Sequence, residues 1–277
     1  MNEIALDGPA LCFGGPYSNL QATRALFAEA RRLGVPPKRM VCTGDVVAYC
    51  ADPAATLDLV MESGVHVVMG NCEESLAAGA GDCGCGFAEG TACDLLSRGW
   101  FAHASRAVSG RHRAWMGALP RRLVLRIAGR RLAVVHGAAD AVNQFLFASA
   151  PDAGLAAEVA ATGCEGVVSG HCGLPFTRVV GGGALWHNPG AIGMPANDGT
   201  PRVWFSLLAP RGGGLEIEHR PLDYDHAAAA GAMRAAGLAE GYAAALESGV
   251  WPSCDVLPPG ERARRGRPLK FEAISWP

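Results

Sequence analysis

The chain lacks most of the short signatures that assign a function at a glance. No CxxC pair occurs among its ten cysteines, which removes the usual structural-zinc and thioredoxin-like readings. Gly14 and Gly15, ahead of a helical stretch, lie in neither a GxxxxGK[ST] nor a GxGxxG run, so they read as a tight turn and not as a phosphate cradle. Ser169, beside Gly170 and His171, is not set in a GxSxG elbow. No apolar run approaches the ~18 residues of a membrane span, and the first residues carry no basic start followed by an apolar stretch. A formal net charge of -2 and a pI near 6.4 give no electrostatic argument for nucleic acid or an anionic membrane. A long chain without an export pattern favours free thiols or thiol ligands over disulfides. The expectation is a cytoplasmic protein with no nucleic-acid or membrane partner.

What is present is enough apolar residue, 49% of 277, to bury a full core. Residues 1–250 read as one domain and 251–277 as a C-terminal tail in which Arg262, Arg264, Arg265 and Arg267 form a solvated basic end. Residues 9–13, 39–43 and 65–69 are short apolar strands, separated by helical stretches over 19–33 and 52–63 that stop at Gly34 and Gly64. The span 79–86, GAGDCGCG, is a flexible loop expected to lie over whatever the strand ends bind. An interrupted helix over 92–117 leads to a hairpin about Gly129, then a helix over 153–162 and a strand over 166–169. Residues 176–180, 184–187, 202–208 and 215–219 read as successive antiparallel strands, and 225–248 as an alanine-rich helix.

Four of the apolar strands end, in chain order, in Asp45, Asn71, His136 and His171, each beside a glycine that lets the loop turn sharply. Taken singly, such an Asp is most often a helix cap and such a His a hydrogen-bonded core residue. One carboxylate, one amide oxygen and two imidazoles at four strand ends form a set suited to a divalent transition metal, Mn, Fe or Zn, and not to calcium.

At these residues the sequence resembles the calcineurin-like metallophosphoesterases, in particular small bacterial phosphodiesterases, over about residues 9–248. The resemblance rests on TGDVVAYCADP (Thr43 to Pro53), MGNCEES (Met69 to Ser75), VVHGAAD (Val134 to Asp140), SGHCGLPF (Ser169 to Phe176) and HNPGAIGMPANDGTPR (His187 to Arg202). It implies an α/β fold, a four-layer αββα sandwich of two mixed β-sheets, with a metal centre at one end. It also implies a small phosphorylated substrate hydrolysed by a metal-activated water, most simply a phosphodiester.

The departures from the family pattern are specific. In GPYSNL, Gly15 stands where the family has its first Asp and Tyr17 where it has His; in GHCG, Gly173 replaces the second His. By resemblance these lost groups all serve one metal, while Asp45, Asn71, His136 and His171 retain the other, so a single family-type metal is expected. Asp45, Asn71 and His136 are then expected to serve catalysis. Cys72 replaces a His that protonates the leaving group in many members, and a neutral thiol favours leaving groups that need little protonation. Glu73 is expected either to assist that step or to orient a neighbouring ligand. Asn19, His187 and Asn188 are candidates for substrate contact or for orienting ligands.

Cys50, Cys72, Cys83, Cys85 and Cys172 lie in loops on the same edge, and with Tyr17 they are candidate ligands of a second, softer ion in the vacated position. The plainer reading is that they are small buried residues. Two alternatives therefore stand beside the phosphoesterase: a catalytically silent metal-binding or interaction protein of the same fold, and a repurposed enzyme with a cysteine-bound second metal.

Overall fold

The computed structural model describes residues 3–277. A short strand β1 (Glu3–Ala5) precedes β2 (Ala10–Phe13), all of whose residues are buried. Helix α1 (Leu20–Arg32) starts where the Asn19 side chain accepts the Ala22 N–H, and it ends in Arg31 and Arg32, which face the negative end of its dipole. Strand β3 (Met40–Cys42) leads through α2 (Pro53–Ser63) to β4 (His66–Val67), and Gly64 ends α2 in the left-handed conformation. Helix α3 (Asn71–Ala78) follows after only three residues. Helices α4 (Ala92–Ala107) and α5 (Gly110–Gly117) account for the interrupted helical stretch, the break being the Ser109 cap.

The hairpin about Gly129 is β5 (Leu123–Ile127) and β6 (Arg130–Val134), paired antiparallel. Then come α6 (Asp152–Thr162), β7 (Gly166–Val168), β8 (Phe176–Val180), β9 (Ala184–Asn188), β10 (Val203–Arg211) and β11 (Gly214–Leu222). The chain closes with α7 (His226–Ala235), α8 (Glu240–Ser248), α9 (Pro259–Arg262) and β12 (Ile274–Trp276).

These strands form two six-stranded mixed sheets, ordered β1-β5-β6-β7-β9-β8 and β12-β11-β10-β2-β3-β4. Alternation along each strand explains the layering. Leu11, Phe13, Met40 and Cys42 pack into the cluster that contains α1, α2, α7 and α8 residues. Ala10, Cys12 and Val41 face the other way, where they meet Leu132, Val134, Val168 and Leu185 between the sheets. Ala133, Val167 and Trp186 point outward to Leu155 and Val159 of α6. The result is the expected four-layer αββα sandwich.

One pairing expectation is corrected. The strands of 176–219 are not one antiparallel run: β8 pairs with β9, and β10 with β11, but β9 lies parallel to β7 in one sheet while β10 lies antiparallel to β2 in the other. Periodicity encodes a hairpin but not which sheet it joins. The segment 251–277 docks on the rest of the molecule: β12 pairs with β11, and the Glu261 carboxylate accepts from the Ser149 N–H and Oγ–H. Among the described residues no helix is long and apolar enough to cross a membrane.

Candidate metal centre

The parallel β2-β3-β4 and β6-β7 edges bring four loops together. Gly44 makes this approach physically possible: a Cβ there would lie 2.7 Å from the Gly70 nitrogen and 2.9 Å from His136 Nδ1. At Gly70 a Cβ would lie 2.3 Å from Asp45 Oδ1, so a side chain at either glycine would push the loops apart. Asp45 and His171 hold positive φ, 54° and 58°, a cost that the packed surroundings impose.

His136 is the hub. Its Nδ1–H donates to the Thr43 carbonyl at 2.6 Å, which turns Nε2 inward; burial disfavours charge on the ring, but the Asp45 carboxylate outweighs it and raises the ring's pKa, so a bound cation would take the place of the Nε2 proton. Around that nitrogen lie Asp45 Oδ2 at 3.2 Å, Asn71 Oδ1 at 3.1 Å and His171 Nδ1 at 3.1 Å. The Asn71 amide is turned this way because its NH2 donates to the Cys83 carbonyl at 2.9 Å and to Cys85 Sγ at 3.2 Å. Burial, aided by charge on His136, pushes the His171 ring down to about 3, which keeps it neutral. Burial pushes the Asp45 carboxyl up, but His136 and His171 together outweigh it and hold the group below the usual range. Lone pairs turned on one another at this range repel unless a proton or a cation lies among them. Among the described residues, Asp45, His136 and His171 are the group whose ligating atoms all lie within 4.8 Å of one another. The donor set, two oxygens and two nitrogens, fits a divalent transition ion.

A family model of the calcineurin-like phosphoesterase superfamily domain matches residues 18–208. The chain belongs to this superfamily. A search of curated proteins finds no significant match. Among solved structures the chain is similar to a metallophosphoesterase from Sphaerobacter thermophilus, with 22% identity and a TM-score of 0.67 over 87% of this chain and 99% of that one. It is similar also to a hypothetical protein from Pyrococcus horikoshii OT3, with 17% identity and a TM-score of 0.73 over 88% and 99%. At these identities the two structures support the fold. The superfamily uses divalent metals, and Asp45, His136 and His171 are where this member has a group able to hold one.

The remaining candidates separate into those that join this centre and those that do not. Glu73, expected as one option to assist a leaving group, is fully buried and spent on backbone: Oε2 accepts from Asp45 N at 2.7 Å and Gly70 N at 2.9 Å, and Oε1 from Val47 N at 3.3 Å. It organises the Asp45 loop through these three backbone N–H groups. Asn188 holds the His171 loop by donating to the Gly170 carbonyl at 2.8 Å and to Cys172 Sγ at 3.2 Å. Asn19 is spent as the cap of α1 and as a donor to the Gly193 carbonyl.

His187 is not at the metal edge. It shares strand parity with Leu185, so it points between the sheets, where its nitrogens meet Thr177 Oγ1 at 2.8 Å and Ser206 Oγ at 2.7 Å.

The five loop cysteines do not form one ligand set. Cys50 Sγ turns to the Gly193 carbonyl at 3.6 Å, and Cys172 Sγ to the Leu174 carbonyl at 3.7 Å. Cys72 and Cys83 each neighbour Cys85, but among the described residues these thiols do not close into a three-ligand group. Burial pushes Cys72 and Cys85 up, and the hydrogen bond with Cys85, aided by burial, pushes Cys83 up, so without a metal all three are neutral thiols. The Tyr17 phenol is likewise pushed well up by burial and by the Asp45 charge.

Tyr17 has a different place. A Cβ at Gly15 would lie 2.3 Å from Tyr17 Cζ, and one at Gly173 would lie 3.5 Å from its Oη. The tyrosine ring therefore fills the space above Gly15 and reaches Gly173, so the three departures from the family pattern pack as one unit. Sequence reasoning missed the Thr43 carbonyl, which sets the His136 tautomer, and Phe145, whose ring centroid lies 4.1 Å from that of His171. A backbone acceptor has no sequence signature, and Phe145 sits in a loop without periodicity.

Proposed function

We propose that this chain is a metal-dependent phosphoesterase that hydrolyses a phosphodiester at a centre built from Asp45, Asn71, His136 and His171. The supporting observation is the inward-facing His136 Nε2 with three further donor atoms at 3.1 to 3.2 Å. A divalent ion held there would polarise a phosphoryl oxygen and acidify a water.

The protein's own part is positioning. Thr43 holds the His136 tautomer, the Cys83 carbonyl and Cys85 hold the Asn71 amide, and Glu73 holds the Asp45 backbone. Cys72, buried and neutral, is a weak proton donor, which favours esters with good leaving groups. With Tyr17 packed over Gly15, the residues that would hold a second family-type ion are absent, and one ion per chain is the expected stoichiometry.

The test is elemental analysis together with turnover of bis-p-nitrophenyl phosphate in added Mn. His136→Ala should lose the metal, and Asp45→Asn should lose turnover by a factor of about 100 or more, roughly 3 kcal/mol of transition-state stabilisation. Metal retained in His136→Ala, or turnover unaffected by Asp45→Asn, refutes the reading. One bound metal without turnover favours the silent metal-binding protein.

A further inference from the structure

Beside His171 the surface opens into a cavity walled by Tyr17, Tyr49, Tyr242, Trp251 and Phe145. Three of the chain's four tyrosines are thus gathered at one place. The walls are braced against one another: Tyr17 and Tyr49 meet edge to face at 4.9 Å, Tyr49 and Tyr242 lie 5.0 Å apart, and the Trp251 indole N–H donates to the Pro195 carbonyl at 2.6 Å. His171 belongs both to this cavity and to the candidate metal centre. Among the described residues no lysine, arginine, aspartate or glutamate lines it.

We propose that this cavity receives an uncharged, apolar ester group of the phosphoester, of the size of a short alkyl chain. This rests on the phosphoesterase reading above and specifies its substrate class. Charge decides the first part: a second phosphate placed here would be desolvated against aromatic rings with no cation to meet it. Size decides the second. The cavity measures about 60 Å³, well below the ~150 Å³ of an apolar cavity that takes up benzene, so a nucleobase does not fit. Because its rings are pinned before binding, little ordering opposes entry of such a group.

The experiment compares p-nitrophenyl phosphodiesters of the Mn-loaded protein whose second ester group is methyl, butyl, 2-trimethylammonioethyl or 5′-thymidyl. Each buried methylene is worth about fourfold in affinity, so the butyl ester should exceed the methyl ester in kcat/KM by about 50-fold. Ser253→Trp, at a partly exposed position of the cavity wall, should cut that ratio to about 5 or less. Tyr242→Ala should move the optimum to larger groups. A ratio near unity, a preference for the trimethylammonium or thymidyl ester, or a ratio indifferent to both variants overturns the proposal. A separate arm measures binding of methylphosphonate and butylphosphonate by calorimetry. If none of the esters is hydrolysed, the phosphoesterase reading fails while this arm still decides the cavity: tighter butylphosphonate binding upholds the apolar subsite, and equal binding overturns it.

Discussion

Replacing Glu73 by Gln changes one oxygen of a buried carboxylate into a donor, and the consequence follows from its three partners. The carboxylate accepts from Asp45 N at 2.7 Å, Gly70 N at 2.9 Å and Val47 N at 3.3 Å. A glutamine can keep its carbonyl on the Asp45 and Gly70 side, but its NH2 then faces the Val47 N–H, donor against donor. One buried N–H left unpaired costs about 1 to 3 kcal/mol, and the two retained bonds lose their charge assistance. A total of about 2 to 4 kcal/mol corresponds to a Tm lower by roughly 5 to 12 °C in a chain of this size. Differential scanning fluorimetry of the metal-free protein reads this directly, and metal stoichiometry after loading should stay at the wild-type value, because Glu73 holds the loop and not the ion. If the Tm moves by less than about 2 °C while kcat falls more for esters with poor leaving groups, Glu73 is a proton donor and the organising role is wrong.

Three further outcomes follow from the same geometry. Gly44→Ala, at φ 94° with a Cβ 2.7 Å from the Gly70 nitrogen, should lower Tm and remove the metal together; normal metal content in that variant would show that the loops tolerate separation. Cys83→Ser combined with Cys85→Ser should leave metal stoichiometry and the absorption spectrum unchanged, since the thiols do not close a ligand set, and loss of an ion by elemental analysis would restore the second-metal reading. Burial pushes His219 from 6.5 down to about 4 and holds His187 well below its usual value. A base with a lower pKa in the folded state favours unfolding as protons are added, so this stability is complete above the unfolded pKa and is lost as pH falls toward the folded one. For His219 the loss reaches roughly 3 kcal/mol at about pH 4. The urea midpoint should drop between about pH 7 and about pH 4.5, with His219→Gln flattening the slope; a midpoint that does not move over this range refutes it.

Much of the centre was legible because it is local. Asp45, Asn71, His136 and His171 each follow an apolar strand and adjoin a glycine, and parallel strands deliver their carboxyl ends to one edge, where the four side chains come together around His136 Nε2. His187 shows where the same reasoning failed. Its nearness to the Asn188-Pro189-Gly190 turn suggested the metal edge, whereas its strand parity with Leu185 sends the side chain between the sheets. Cys50 and Cys172 failed for a related reason: a shared edge fixes where a loop starts, not the direction of a thiol, and each turns to a nearby carbonyl. Glu73 is intermediate. Its position in the first turn of α3 allows either role, and its distances to three backbone nitrogens support the organising one.

The amino-acid sequence by itself determined most of the strand and helix order and the four polar residues at strand ends, because these depend on residue type and short-range periodicity, while its resemblance to the family marked Gly15, Tyr17 and Gly173 as departures. Tertiary structure decided what the losses became. Tyr17 comes from the turn before α1, Tyr49 from the loop after β3, Tyr242 from α8 and Trp251 from the segment beyond it. No sequence period links residues so far apart, and only the packing of α8 and the following segment against the strand ends makes one aromatic wall beside His171.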